Sequence, residues 1–588
     1  MRTLYRGLNR IASTGPRAGA TGPGWSLGVT ALVVFVAVLS ARLPGHAQEM
    51  NMQTDPIPQL RRVGDVSQLY VDGNPFLLLG GELGNSTASD LTMLDEAMRK
   101  CRQMNLNTIM LPVYWDRIEP EEGTFDFTLV QGAIDLAREH ELRLVYLWFG
   151  TWKNSMSCYA PSWVKRDTAR FKRAQQSSGE QLEIISPSCD EAAGADARAF
   201  AQLMQWTRAY DAGHHTVIMV QVENEIGMIP EPRDHSQDSQ RAYRDVVPEP
   251  IMSMVVDGKL GPEAAELWIQ EGRKRNGSWR DTFGGGPEGE EFFSAWQFAT
   301  YVEKVASAGK ASYPLPMFTN AALIRPGYRP DQRPSGAPLP HLLEVWRAGA
   351  PSLDMICPDI YFPNFMEWCQ RYTRNGNPLF IPEMSPSLRA SGNVVYAIAK
   401  HNAIGTGPFA IENVSDEKAH LIRSCYGTLS GMADLILQAQ QDGTLIGLSP
   451  QVTFDWETDN NPQRGELGGV VFEADFDRQK GGEEIDITTL PTHGPGRWEA
   501  PPDVPRGAVM ILQLAPEEFA IVGMGVKVTF APADGQGHVG IDRVQEGRYE
   551  NGNWVGGRWL NGDETHQGRH VHLYYGNWTV QRVTLYRY

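Results

Sequence analysis

The stretch Val220-Gln-Val-Glu-Asn-Glu-Ile-Gly227 decides how the chain is read. It continues the apolar, β-branched run Thr216-Val-Ile-Met-Val220, which has the composition of a buried strand. Such a strand ending abruptly in Glu-Asn-Glu presents acidic groups at its C-terminal end. In a parallel α/β barrel that end is the active-site face. Carboxylates are costly to bury without a partner or a use. A second strand of the same kind, Pro378-Leu-Phe-Ile-Pro-Glu383, also ends in a glutamate. Two strand-end glutamates far apart in sequence are what a two-carboxylate glycosidase needs.

Working outward from this strand, short apolar runs alternate with helical periodicity. Phe76–Leu79 is expected as the first barrel strand, ending in Gly80-Gly-Glu82. Asp90 or Ser89 can cap a helix in which Leu91, Leu94, Met98, Cys101 and Met104 recur at helical spacing. Asn107–Tyr114 and Leu142–Phe149 read as the second and third strands, each followed by a helix. After the Glu-Asn-Glu strand, residues 228–296 read as an insertion. The repeat then resumes with a helix over Phe293–Ala306 and strands at Leu315–Asn320, Leu353–Tyr361, Leu379–Glu383 and Gly407–Glu412. A helix from Ser430 to about Gln441 closes the ring. This is the pattern of a (β/α)8 TIM barrel over 76–442, preceded by an N-terminal arm at 48–75.

Beyond residue 443 strand-length runs appear without long helices between them, so 443–588 is expected to be an all-β, sandwich-like domain. Residues 480–507, rich in Gly, Pro and acids, read as a linker or long loop. Trp554, Trp559, Tyr574, Tyr575, Trp578, Tyr586 and Tyr588 are expected mainly to pack this domain and dock it on the barrel.

Composition bounds the partners. The length of 588 residues fits a barrel of about 250 residues or more plus accessory material. A net charge of −17 argues against a nucleic-acid or anionic-membrane surface. At the N-terminus, Arg2, Arg6, Arg10 and Arg17 precede the apolar run Leu27–Leu39 and the small residues of Gly45-His-Ala47. This order reads as a signal peptide over 1–47 and a periplasmic or secreted protein, with an uncleaved anchor as the alternative. The six cysteines permit local disulfides, with Cys158 and Cys189, which flank one loop, as the first pair to consider. The chain has no CxxC or HExxH, so no metal or other cofactor is expected.

The chemistry assigned to the two glutamates is acid/base for Glu225 and nucleophile for Glu383. Glu223 and Glu225, two apart on an extended strand, are expected on one side. Asn224 is placed to bond a sugar hydroxyl, and Tyr361 to orient Glu383. Glu82, Asn85, Tyr114, Trp148 and Asn320 fall at or near strand ends and are expected to line the pocket.

Val220–Gly227 resembles the acid/base motif of glycoside hydrolase family 35, the β-galactosidases. Asn107–Phe127 is similar to the second-strand region of that family and its retaining barrel relatives. The resemblance covers about 75–415. It implies retention of configuration, Glu225 as acid/base, Glu383 as nucleophile and no cofactor. Two stretches depart from the pattern. The first strand reads Leu77-Leu-Leu-Gly-Gly-Glu-Leu-Gly-Asn-Ser86 where a Ser-Gly…His-Tyr motif is common, and the nucleophile sits in Phe380-Ile-Pro-Glu-Met-Ser-Pro386. The chain thus looks like a divergent bacterial branch, in which Glu82 takes over a hydroxyl contact. The function expected is exo-acting release of β-linked galactose from oligo- or polysaccharides. A retaining enzyme of another sugar specificity and a non-catalytic carbohydrate-binding protein are the alternatives. A homo-oligomer is possible, with the insertion and the β domain offering surface for it.

Overall fold

The computed structural model describes residues 56–477, 501 and 504–588. The leader expected over 1–47 and most of the linker expected over 480–507 lie outside the described residues. A hairpin built from Gln59–Val63 and Val66–Val71 opens the described chain.

Eight parallel strands close into a barrel in sequence order. They are β1 Leu78–Glu82, β2 Thr108–Tyr114, β3 Arg143–Lys153, β4 Val217–Asn224, β5 Met317–Ala322, β6 Met355–Ile360, β7 Ile381–Met384 and β8 Gly405–Pro408. The barrel is the one expected, but several bounds differ. β1 starts at Leu78 rather than Phe76 and ends at Glu82, and β3 runs on past Phe149 to Lys153. β8 ends at Pro408, and Glu412 falls in a short helical turn, Ile411–Asn413, beyond it.

Helices alternate with these strands for the reasons their sequences give. In α1, Leu91–Gln103, Leu94, Ala97, Met98 and Cys101 are buried at helical spacing. The Asp90 side chain caps it by accepting from Thr92 N at 2.9 Å and Met93 N at 3.0 Å. A cap of this kind contributes about 1 kcal/mol. α2 spans Thr128–Glu139 and α3 Asp190–Asp211. Between β4 and β5 lie four short helices, Gln237–Arg244, Glu249–Val256, Pro262–Gln270 and Trp279–Phe283. The helix expected at Phe293–Ala306 is longer on both sides: α4 spans Pro287–Ser312, started by its proline, and packs along α3. Near its start Glu291 is buried and accepts from Arg333 Nη1 and Nη2, and it pairs with His341 Nε2 at 3.0 Å. This ties the insertion to the loop after β5. The closing helix is two helices, Asp416–Gly431 and Ala433–Asp442, broken at Met432.

The C-terminal region is a pair of antiparallel sheets. Six strands form one sheet, in the order Leu445–Leu448, Ala508–Ala515, Glu518–Met524, Thr579–Arg587, Val539–Glu550 and Asn553–Trp559. Four strands form the other: Gln463–Leu467, Val470–Phe476, Val526–Pro532 and Val571–Leu573. Strand alternation makes the larger sheet a middle layer. Its Ala508, Met510, Leu512, Ala520 and Val522 join the core of the barrel. Its Val509, Ile511, Phe519 and Ile521 pack with Phe472, Val526 and Val528 of the smaller sheet. The C-terminal aromatics divide accordingly. Trp578 is buried in the barrel core and Trp554 packs against it, whereas Trp559, Tyr574, Tyr586 and Tyr588 are exposed.

The disulfide considered for Cys158 and Cys189 does not form; all six thiols are free. Cys158 is exposed, while Cys189 is buried at the start of α3 with its thiol toward Arg170 O. Among the described residues no helix is long and apolar enough to cross a membrane.

Candidate active site

The C-terminal ends of the strands bring Glu82 (β1), Lys153 (β3), Asn224 and Glu225 (β4), Asn320 (β5), Asp359 (β6) and Glu383 (β7) to one mouth, all of them buried. Asp359 and Glu383 are partners in the register of β6 and β7. Carboxylate oxygens of Glu225, Asp359 and Glu383 lie within 4.8 Å of one another.

A bulge in β3 builds the acid/base loop. Trp148 pairs with Val222 and Lys153 with Asn224, so residues 149–152 lie opposite Glu223 alone. The extra chain turns Thr151 N and Trp152 N onto the Glu223 carboxyl at 3.1 and 2.7 Å. Gly150 is required there, because a Cβ would lie 2.4 Å from Trp148 Nε1 and 2.7 Å from Glu223 Oε1. Burial, then the neighbouring Asp196, push the Glu223 carboxyl well above its usual range. Next, Asn154 and Ser155, both at positive φ (50° and 65°), make a tight turn closed between Lys153 and Met156. Their amides donate to the carbonyls of Asn224 (3.1 Å) and Glu225 (3.0 Å), and the Asn154 side chain donates to the Glu225 carboxylate.

Glu223 and Glu225 therefore do not share a side, as an extended strand would require. Both have positive φ, 62° and 43°, which reorients successive side chains. Glu223 is held by the β3 bulge, and Glu225 joins the mouth. Backbone strain of this kind costs on the order of 1–3 kcal/mol per residue and is often found at functional sites.

The electrostatics follow from crowding four carboxyls around one ammonium. Burial, then the Glu383 charge, raise Glu225; Lys153 and hydrogen bonds from Asp359 and Asn154 pull it back, leaving it at about 7. Burial, then Glu383, push both Glu82 and Asp359 well above the carboxylate range. Burial works against the Lys153 ammonium, but Glu383, Glu225, Glu82 and Asp359 more than offset it and the net shift is upward. Tyr361 donates its hydroxyl to Glu383 Oε1; burial, then that charge, keep the phenol protonated.

Four buried atoms at this mouth have no hydrogen-bond partner: Glu82 Oε1, Asn224 Nδ2, Asp359 Oδ1 and Glu383 Oε2. Buried polar atoms are normally satisfied, so such a cluster suits a ligand rich in hydroxyls. The three grouped carboxylates could also hold a cation, but the Lys153 ammonium already supplies positive charge there.

Of the residues singled out in the sequence, Glu225, Glu383, Asn224, Glu82, Tyr361 and Asn320 come together. Asn320 has both ends occupied: it accepts from Glu225 N at 3.0 Å and donates to Asp359 at 2.6 Å. Tyr114 donates to Asn85 O at 2.7 Å and stacks on Tyr159, joining two loops rather than reaching the carboxylates. Asn85 keeps a buried, unpartnered Oδ1 beside that contact. Trp148 points out of the barrel, with Nε1 on Asp196 of α3 at 2.8 Å and its ring against Phe200. Sequence reasoning missed Lys153, Asn154 and Asp359. Asp359 carried a usable signal, an acid two residues before the end of the expected sixth strand.

Comparison with known proteins adds the following. Residues 87–250 match the family model described as beta-galactosidase, glycoside hydrolase family 42. Residues 422–572 match a domain of unknown function, DUF5597. The family matched is 42, where Val220–Gly227 had suggested family 35. No curated protein matches. Similar solved structures include a catalytic mutant of a family 42 β-galactosidase from G. stearothermophilus, at 12% identity and TM-score 0.49, covering 87% of this chain and 98% of that one. The β-galactosidase of the psychrophilic Marinomonas ef1 has 12% identity and TM-score 0.43, covering 63% of this chain. That of Bacillus circulans sp. alkalophilus has 14% identity and TM-score 0.43, covering 61% of this chain. The chain spans 62% and 57% of the lengths of these last two.

Proposed function

We propose that the chain is an exported, exo-acting glycoside hydrolase that releases β-linked galactose with retention of configuration. The observation that carries this reading is the close approach of Glu225 and Glu383, with carboxylate oxygens within 4.8 Å. Retaining enzymes hold their two carboxyls about 5–5.5 Å apart, whereas inverting ones need about 6.5–9.5 Å to admit a water. The galactose assignment rests on the family model matched over 87–250.

In the first step Glu383 Oε2, the oxygen without a partner, attacks the anomeric carbon. The glycosidic C–O bond breaks, and the Glu225 proton passes to the departing oxygen. In the second step Glu225, now ionised, takes a proton from water. The water oxygen attacks the anomeric carbon and Glu383 leaves. A group at about 7 suits both directions of transfer. Tyr361 holds the other Glu383 oxygen. Asn224 Nδ2, Asp359 Oδ1 and Glu82 Oε1 face the sugar hydroxyls. Hydrolysis of a panel of aryl β-glycosides by the wild type, Glu225→Ala and Glu383→Gln tests the reading. Galactoside cleavage lost in Glu383→Gln supports it. A different preferred sugar with the same mutant pattern moves the specificity and keeps the mechanism.

A further inference from the structure

A cleft of about 1020 Å³ lies away from the carboxylates. It runs between the barrel flank and the start of the β domain, and none of Glu82, Glu225, Asp359 and Glu383 lines it. Its volume is at the top of the range for small-molecule sites, about 300–1,000 Å³.

The barrel wall of the cleft is the helix Phe365–Tyr372 and the end of the helix Ala390–His401. The other wall is the segment 447–464 of the β domain. Trp368, Tyr396 and Phe454 supply aromatic surface. Three lining residues carry a buried polar atom with no partner: Asn364 Oδ1, Trp368 Nε1 and His401 Nε2. Asn364 and Trp368 are 9% and 3% exposed, so water does not satisfy them freely. Burial, then Lys400, lower the His401 imidazole to about 4, so it is neutral in the working range. The lining carries charges of both signs, Arg371, Lys400 and Arg464 against Glu367, Glu457 and Asp459, and Arg371 pairs with Glu367 and Arg464 with Glu473. Aromatic faces, unpartnered donors and acceptors, and lining charges of both signs suit an uncharged, hydroxyl-rich ligand.

We propose that this cleft is a second saccharide site, which holds an uncharged glycan chain of several sugar units. Phe362 joins it to the catalytic mouth. Phe362 packs on Trp368 (ring centroids 6.1 Å apart) and on Phe454 (5.2 Å), and it directly follows Tyr361, the partner of Glu383.

The test is calorimetric titration of the full-length Glu383→Gln protein, which does not turn glycan over, with β-1,4-galactotetraose and with cellotetraose. Trp368→Ala, Phe454→Ala and Gln451→Ala are added singly; the last two sit on the β-domain segment and guard against misfolding of the first. The expected result is a tenfold or greater loss of affinity for at least one tetrasaccharide in Trp368→Ala or Phe454→Ala. In the Glu383 background, hydrolysis of nitrophenyl β-galactoside by the same variants should stay within twofold of wild type. Binding of neither tetrasaccharide, or binding equal in all variants, would overturn the proposal. Failure to hydrolyse any aryl glycoside counts against the hydrolase reading alone, because the titration does not depend on turnover.

Discussion

Lys153 Nζ donates to Asn224 Oδ1 at 2.8 Å, at the point where β3 and β4 end side by side. The bond fixes the Asn224 amide with its oxygen on the ammonium and its Nδ2 unpartnered in the mouth. Asn224 is thereby a donor only toward substrate, and Lys153 offsets part of the charge of Glu225 and Glu383. Replacing Lys153 with Met should lower kcat/KM on an aryl β-galactoside by about 10²–10³-fold, the scale of losing one preorganised electrostatic partner. The pH profile should separate this role from a packing role. Because Lys153 lowers Glu225, its removal should move the basic limb upward. An unmoved limb would leave Lys153 a structural residue.

For the acid/base pair, the leaving group is the probe. Glu225→Ala should slow substrates with poor leaving groups by several orders of magnitude and activated aryl substrates far less, since only the former need a proton. Small nucleophiles such as azide should restore the deglycosylation step. Equal losses on both substrate types would assign Glu225 another role.

The wild-type pH dependence has a defined sign. Glu225 must be protonated to act as the acid, so kcat/KM should fall on the basic side through about pH 7. A limb near the ordinary carboxylate value of about 4.5 would contradict the burial argument.

Stability should carry the same signature. Glu82, Asp359 and Glu225 all hold their protons more tightly folded than unfolded. For Glu225 this stabilisation is fully present below its ordinary value near 4.5 and is lost as the pH rises through about 7. The loss is on the order of a few kcal/mol, at about 1.4 kcal/mol per unit. Urea denaturation at pH 5 and pH 8 should show it, and Glu82→Gln, a neutral isostere, should shrink the difference. Parallel behaviour of the two proteins would argue against a protonated Glu82.

The barrel's alternation of strands and helices was legible because strands such as β2 and β4 are apolar runs with β-branched residues and α1 repeats Leu94, Ala97, Met98 and Cys101 on one face. Glu225 and Glu383 stood out as acids at the ends of such runs. Lys153 did not, because the third strand was expected to stop at Phe149, before Gly150-Thr151. The bulge that carries the chain on to Lys153 is stabilised by Glu223 and Asp196, partners distant in sequence. The same bulge lies just past Trp148, whose ring faces α3, and periodicity alone cannot assign that face. Asn154 reaches Glu225 only through the positive-φ turn with Ser155, a tertiary feature. The resemblance of Val220–Gly227 pointed to family 35, while the longer stretch 87–250 matches family 42.

Trapping is the most direct test of the two-carboxylate mechanism. The protein should be incubated with an activated 2-deoxy-2-fluoro-β-galactoside, digested and examined by mass spectrometry. A fluorogalactosyl adduct on the peptide containing Glu383, absent from Glu383→Gln, is the expected result. Steady turnover of β-galactosides with the adduct on another residue, or with no adduct and an inverted product, would contradict it.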